Sequence, residues 1–358
     1  MTTRAASTRS RRFHGFTLIE LLIAIGLGIV IMLGLMLLFS RSSGNQQQLE
    51  RTVRQFENAR FALDTLNEDL MHAGFYSDFN PNTAIPSVAY TSPSPCAVAP
   101  SAMGWNAGTT PMQVPRPVEL IAAGTAVTCL ADRMAGTEAI VVRRAETGPT
   151  IPWTAGNGTN LYIQTARCGS EAGQIRVAAV PLTEPEKSFN LKRKDCELLG
   201  TNNALRRLSQ RTYYVARCND CAANDGIPTL KRVEMIDGAL RTTAIAEGVE
   251  NVQFELGVDS EPAPPNVDGV PDKWFTAKAA ADDIAVDPDA KWRDNIVSVR
   301  VHLLTRSTQP ERGYVETRTY QLGPDVEIKP ASPAPDLQFK RTLLTTTVRL
   351  HNVGARRE

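Results

Sequence analysis

Histidine is scarce in this 358-residue chain, with four widely separated copies at His14, His72, His302 and His351. No HExxH pair, phosphate-binding loop, dinucleotide-binding glycine run or nucleophile signature accompanies them, which argues against an enzyme and implies no cofactor. His302 alternates with Val301 and Leu303 and reads as a strand-face residue rather than a general base. An excess of one charge is also missing, since 39 basic residues face 38 acidic ones. The short basic clusters Lys192-Arg193-Lys194 and Arg206-Arg207 read as solvated loop faces, so the electrostatic footprint of a nucleic-acid partner is absent. No internal repeat of fixed period is evident, and a second apolar run long enough to cross a bilayer is lacking.

The single long apolar run spans Phe16 to Phe39, 24 residues, about 36 Å as a helix and enough for a hydrocarbon core of about 30 Å. Residues 1–15 ahead of it hold Arg4, Arg9, Arg11 and Arg12 and no acid, as expected of a segment kept on the cytoplasmic side. Without these four arginines, 35 basic residues face 38 acidic ones, a formal charge of −3. A secretory signal places its small cleavage-site residue after the apolar core, whereas here Gly15 precedes it, so the apolar segment survives processing. Glu20 lies inside the run, where a carboxylate costs about 2.5–3.5 kcal/mol at a helix centre and calls for a functional reason. Gly26, Gly28 and Gly34 interrupt the span without forming a GxxxG pair.

The string Gly15-Phe16-Thr17-Leu18-Ile19-Glu20 before such a span resembles a type IV prepilin signal. The resemblance implies cleavage after Gly15 by a prepilin peptidase and methylation of the new amino terminus on Phe16. It also implies that Glu20 neutralises the amino terminus of a neighbouring subunit during assembly, a charge pair formed at low dielectric.

Beyond the span, Leu49, Val53, Phe56, Ala59, Leu63, Leu66 and Leu70 recur at three- and four-residue steps and predict an amphipathic helix over Gln46 to Ala73. Asn58, Asp64, Asn67, Glu68 and Asp69 fall off that stripe, and Gly74 is a stop signal. Ser40 to Gly44 predicts a bend between the two helical halves. Pro81 to Pro117 is rich in prolines and turn residues and reads as a long surface excursion. Strands are expected at Glu138–Arg144, Asn160–Thr165, Gln174–Val180, Thr212–Arg217, Thr229–Met235, Val249–Val258, Ile296–Thr305, Glu316–Leu322 and Leu343–Leu350. The expected architecture is α+β, a long amino-terminal helix packed on an antiparallel β domain of one or two sheets. Its parts are a leader over 1–15, a transmembrane helix over 16–39, an amphipathic continuation over 40–74, an irregular region over 75–137 and a periplasmic β-rich domain over 138–358.

Six cysteines, Cys96, Cys129, Cys168, Cys196, Cys218 and Cys221, all follow the span and allow 15 pairings. Local loops favour sequential pairing, Cys96 with Cys129, Cys168 with Cys196 and Cys218 with Cys221. The rival readings of Cys218-Asn219-Asp220-Cys221, a redox dithiol or half a metal site, lack a βαβ context or a second close pair. Asp259, Asn266, Asp268 and Asp272 form a weak calcium candidate whose spacing fails the EF-hand pattern, and a solvated hairpin loop is the competing reading.

The run Gln55-Phe56-Glu57-Asn58-Ala59-Arg60-Phe61-Ala62-Leu63-Asp64, with Asp69-Leu70 and Ala73-Gly74-Phe75, resembles the start of PilW-type minor pilins. Glu247 to Phe254, Asn295 to Ser307 and Thr345 to Asn352 fit the same family, while residues 80–210 carry little of it. The resemblance implies a minor pilin that primes type IV pilus assembly at or near the tip. Its partners would be other minor pilins, the major pilin and a tip adhesin, with storage in inner-membrane lipid. Two alternatives remain open, a J-type pseudopilin of a type II secretion system and an adhesive module carried on a pilin spine.

Overall fold

The computed structural model describes residues 17–79, 92–105, 114–166, 174–179, 187–193, 201–260, 268–277, 295–330 and 336–354, with only the backbone at 37, 40–45 and 47. Two compact units divide the chain, Met1–Arg54 and Gln55–Glu358. Helix α1 runs from Leu18 to Met71 over 54 residues. In the first unit its described apolar side chains between Leu18 and Phe39 are exposed. The expected bend at Ser40–Gly44 is absent from the backbone, which stays helical. Adding a residue to an existing helix is far easier than starting one, so long helical stretches on both sides carry these weak formers. The helix ends before Gly74, whose φ of +74° suits glycine and whose missing Cβ would sit 3.0 Å from the Pro117 ring.

The second unit holds two main antiparallel sheets. In the larger, β1 (Val118–Ile121) pairs with β2 (Ala139–Ala145), and β2 pairs with the long β5 (Arg206–Ala216). β3 (Leu161–Ala166) joins the first residues of β5 and carries β4 (Gln174–Ala179). β6 (Thr229–Ile236) pairs with β5 at Arg211–Ala216 and carries β7 (Ala239–Glu247). The smaller sheet has the order β13 (Arg341–Arg349), β10 (Ile296–Arg306), β8 (Val249–Val258) and β9 (Lys273–Thr276). A separate hairpin joins β11 (Tyr320–Leu322) to β12 (Val326–Ile328).

One core serves the helix and both sheets. Ala62, Leu66, Leu70 and Ala73 pack with Ile140, Tyr213 and Val215 of the larger sheet and with Val252, Phe254, Val301 and Leu303 of the smaller. Full burial of Leu66 and Leu70 is worth about 1.5–3 kcal/mol each. Within this unit the predicted stripe is therefore right at Ala59, Leu66 and Leu70, partial at Leu63, and wrong at Phe56, which is 49% exposed. The buried face instead includes Gln55 and Asp69. Gln55 Nε2 donates to the carbonyl of Thr305 at 3.2 Å, so polarity there is satisfied inside the core.

Asp69 corrects the sequence reading most sharply. It is 2% exposed. Its Oδ1 accepts from Arg144 at 2.8 and 3.1 Å and from Arg211 at 2.7 Å, and Oδ2 accepts from the Tyr213 hydroxyl. Burial alone would raise its pKa, but the Arg211 charge, the Tyr213 hydroxyl and Arg144 outweigh it and hold the carboxyl below the ordinary range. Arg206-Arg207 is likewise no loop face. It opens β5, with Arg206 donating to the carbonyls of Glu146 and Gly148 and lying over the Phe75 ring. The proline-rich stretch is not wholly superficial either, since Met103, Trp105 and Val114 pack with Tyr76, Phe79 and Leu161 in a second core cluster.

Asp69→Asn should leave Arg144 and Arg211 without their shared charge and cost about 3–5 kcal/mol, read as a lower melting temperature of the full chain in detergent. Because Asp69 is depressed in the fold, its contribution is present above the unfolded carboxyl value near pH 4 and lost as pH falls through the lower folded value. The variant should accordingly lose less stability than the parent on acidification.

Candidate functional site

The amino-terminal turn of α1 carries the first candidate. Thr17 precedes the helix and Glu20 lies three residues on, the spacing of a capping box. Glu20 Oε2 accepts from the Thr17 amide at 3.2 Å and the Thr17 hydroxyl at 3.1 Å, and the Glu20 amide donates back to Thr17 Oγ1 at 3.3 Å. One carboxylate oxygen thus satisfies the open helix end while Oε1 makes no hydrogen bond among the described residues. The Thr-x-x-Glu spacing is itself a sequence signal for this cap, alongside the assembly role that the resemblance implies for Glu20. Leu18–Met36 is long and apolar enough to cross a membrane. Gly15 and Phe16 lie outside the described residues.

The cysteines fall into place in part. Cys96 is bonded to Cys129, closing 33 residues of separation, and Cys218 to Cys221, closing three. Cys168 and Cys196 lie outside the described residues. Asp132 approaches Cys218 and Cys221 closely enough to suggest a metal triad. The two sulfurs are joined to each other, however, and a disulfide offers no thiolate ligand.

The acidic loop after β8 is organised by its own backbone. Asp259 is fully buried and accepts from the Gly269 amide at 3.0 Å, Asp268 accepts from the Val270 amide at 2.9 Å, and Asp272 accepts from the Ser260 amide at 2.9 Å. Asp268 thus closes a local turn, the ordinary use of aspartate in such loops, while Asp259 and Asp272 tie the two ends of the loop to each other. Asn266 lies outside the described residues. His302 stands on β10, buried, with Nε2 2.7 Å from Glu255 and Nδ1 3.0 Å from the Thr345 hydroxyl. It bridges three strands of the smaller sheet.

Residues 212–352 match the family model of type IV pilus-assembly protein W, and residues 10–36 match the prokaryotic N-terminal methylation motif. Among solved structures, a type IV-like pilin from Thermus thermophilus is similar at 10% identity over 66% of this chain and 84% of that one, with a TM-score of 0.26. No curated protein matches the chain.

In the chain-entropy picture a longer closed loop gives the greater stabilisation, about 4 kcal/mol for the Cys96–Cys129 separation against about 2 kcal/mol for Cys218–Cys221. Cys96→Ser with Cys129→Ser should therefore lower the melting temperature about twice as far as Cys218→Ser with Cys221→Ser, measured on the full chain.

Proposed function

We propose, from the match of residues 212–352 to the type IV pilus-assembly protein W family and of residues 10–36 to the methylation motif, that the chain is a PilW-family minor pilin that primes assembly of a type IV pilus and is incorporated at or near the tip. The observation that carries the reading is the pairing of a methylation-type amino terminus with a PilW-type carboxyl half on a single α1-plus-β chain. Pilin-like families are structural, which agrees with the lack of catalytic signatures.

The proposed mechanism begins with storage. The span from Phe16 to Phe39 holds the subunit in the inner membrane, with the basic leader cytoplasmic and the β domain periplasmic. Two disulfides after the span suit an oxidising compartment. A prepilin peptidase cleaves after Gly15 and the new terminus on Phe16 is methylated. Glu20 then offers its open Oε1 to the amino terminus of a neighbouring pilin while Oε2 keeps capping its own helix. Exposed Leu49, Val53, Phe56 and Phe61 on α1 are available to other pilins, and the sheets supply surfaces for further minor pilins, the major pilin and a tip adhesin. Twitching motility and adhesion would depend on this priming step.

Electron microscopy of a deletion strain tests the proposal. Surface pili should be lost, and should return when retraction is also blocked. Normal pili together with failed protein secretion would overturn it in favour of a pseudopilus. Glu20→Ala should remain inserted and processed yet fail to restore pili, whereas restoration to the parental count would sink the docking role.

A further inference from the structure

A cavity of about 310 Å³ opens between the loop after β1, strands β8 and β10, and the turn joining β11 to β12. Glu138, Gln253, Glu255 and His302 all line it, and each is more than nine-tenths buried. Asp325 from the β11–β12 turn adds a third carboxylate. The remaining wall is largely apolar, with Ala122, Ala123, Leu322 and Val326 among its residues.

The hydrogen-bond inventory around the cavity is lopsided. Gln253 spends its Nε2 on the Gly136 carbonyl at 2.8 Å and on Asn251 Oδ1 at 2.7 Å, and the carbonyl partner fixes which way the amide faces. His302 spends both ring nitrogens, on Glu255 and Thr345. Arg300 is held by Glu255 at 3.2 Å and lies over the Trp274 ring. Arg133, near Glu138, donates from Nη1 to the carbonyl of Thr125 and from Nη2 to those of Ile121, Ala122 and Thr137, and its buried Nε makes no hydrogen bond among the described residues. Acceptors are left over. Glu138 Oε2 takes the Phe254 amide at 2.7 Å, but its Oε1 has no hydrogen-bond partner among the described residues, and the same holds for Gln253 Oε1.

We infer that this cavity binds a primary alkylammonium or an alkylguanidinium group, whose N–H donors meet Glu138 Oε1 and Gln253 Oε1 while its aliphatic stem lies along the apolar wall. A cation with several donors answers both the unfilled acceptors and the surplus of carboxylates, and an apolar channel is how such stems are normally housed. Burial, opposed by the Phe254 amide and Arg133 and reinforced by Asp325 and Glu255, pushes the Glu138 carboxyl up to about 7. The empty site is thus partly protonated near neutrality, and an arriving ammonium takes the place of that proton. A free amine and the Lys side chain of a neighbouring protein share the ammonium form of this chemistry, which is the form tested.

The test is calorimetric titration of n-butylammonium into the full chain in detergent at pH 8.5 and pH 6, with n-butanol as the neutral control. Saturable one-site binding is expected, about tenfold tighter at pH 8.5, where Glu138 is ionised. Glu255, His302 and Asp325 also line the site, with Arg133 near Glu138 and Arg300 paired to Glu255, and all remain in Glu138→Gln, so that variant should lose most of the affinity. Ala123→Phe, on an exposed loop, should block the cavity with the melting temperature unchanged. No saturable binding, equal binding of n-butanol, or an unaltered Glu138→Gln would overturn the inference. Carbodiimide treatment of membranes separates the two sources. A Glu138 peptide joined to a lysine of another protein assigns a side chain, and a mass increment from a small amine assigns a free ligand.

Discussion

A carboxylate with almost no access to water, Asp69, fixes how the carboxyl-terminal part of α1 lies on the β domain. Its two oxygens meet Arg144 of β2 and Arg211 and Tyr213 of β5, so one helical position is tied to two adjacent strands. Hydrophobic packing of Ala62, Leu66, Leu70 and Ala73 would tolerate small rotations of the helix. The charge network does not, because a turn of the helix would strand a buried anion and two cations at a cost of several kcal/mol. Arg211 is itself shared with Glu234 of β6 at 2.9 Å, which extends the constraint to a third strand.

The smaller sheet uses a similar device at its far edge. Arg341 of β13 is buried and reaches both oxygens of Glu250 on β8, at 2.6 and 2.8 Å. His302 on the strand between them closes onto Glu255 of β8 and Thr345 of β13. Between these clamps the apolar strands form the floor under α1, and the β11–β12 turn comes close enough to β8 and β10 to enclose the carboxylate-lined cavity. The strands of the smaller sheet are thus held by buried ion pairs. Gly248 permits the tight passage from β7 to β8, since a Cβ there would lie 2.6 Å from the Arg306 carbonyl oxygen.

Residue patterns made some elements readable. The β-branched run of Ile296 to Val301 predicts β10, and the alternation of Val252, Phe254, Leu256 and Val258 predicts β8, but the sequence pattern implies one buried face where the structure buries almost every side chain of both strands. β7 shows no such pattern, as its side chains are largely exposed and its apolar residues do not alternate. Its turn was nevertheless written in Asp237-Gly238, whose φ values of 51° and 78° are those of a two-residue hairpin turn that favours this dipeptide. Strands β1, β9 and β12 have only three or four residues, too few for a period to stand out. The capping role of Glu20 was equally legible, in the Thr17-to-Glu20 spacing.

The sequence by itself determined the membrane-length helix, the methylation-type amino terminus, the predominance of antiparallel strands and the family of the carboxyl half. These features are local, carried by the order of neighbouring residues or by periods of two and 3.6. Only the tertiary structure decided which face of α1 is buried, that Asp69 belongs to it, and that Glu138, Gln253 and Asp325 share a cavity although they are far apart in the chain. The reason is that a polar side chain shows no sign in the sequence of the partners that make its burial affordable. Those partners come from distant strands, and they become neighbours only when both sheets have closed on the helix.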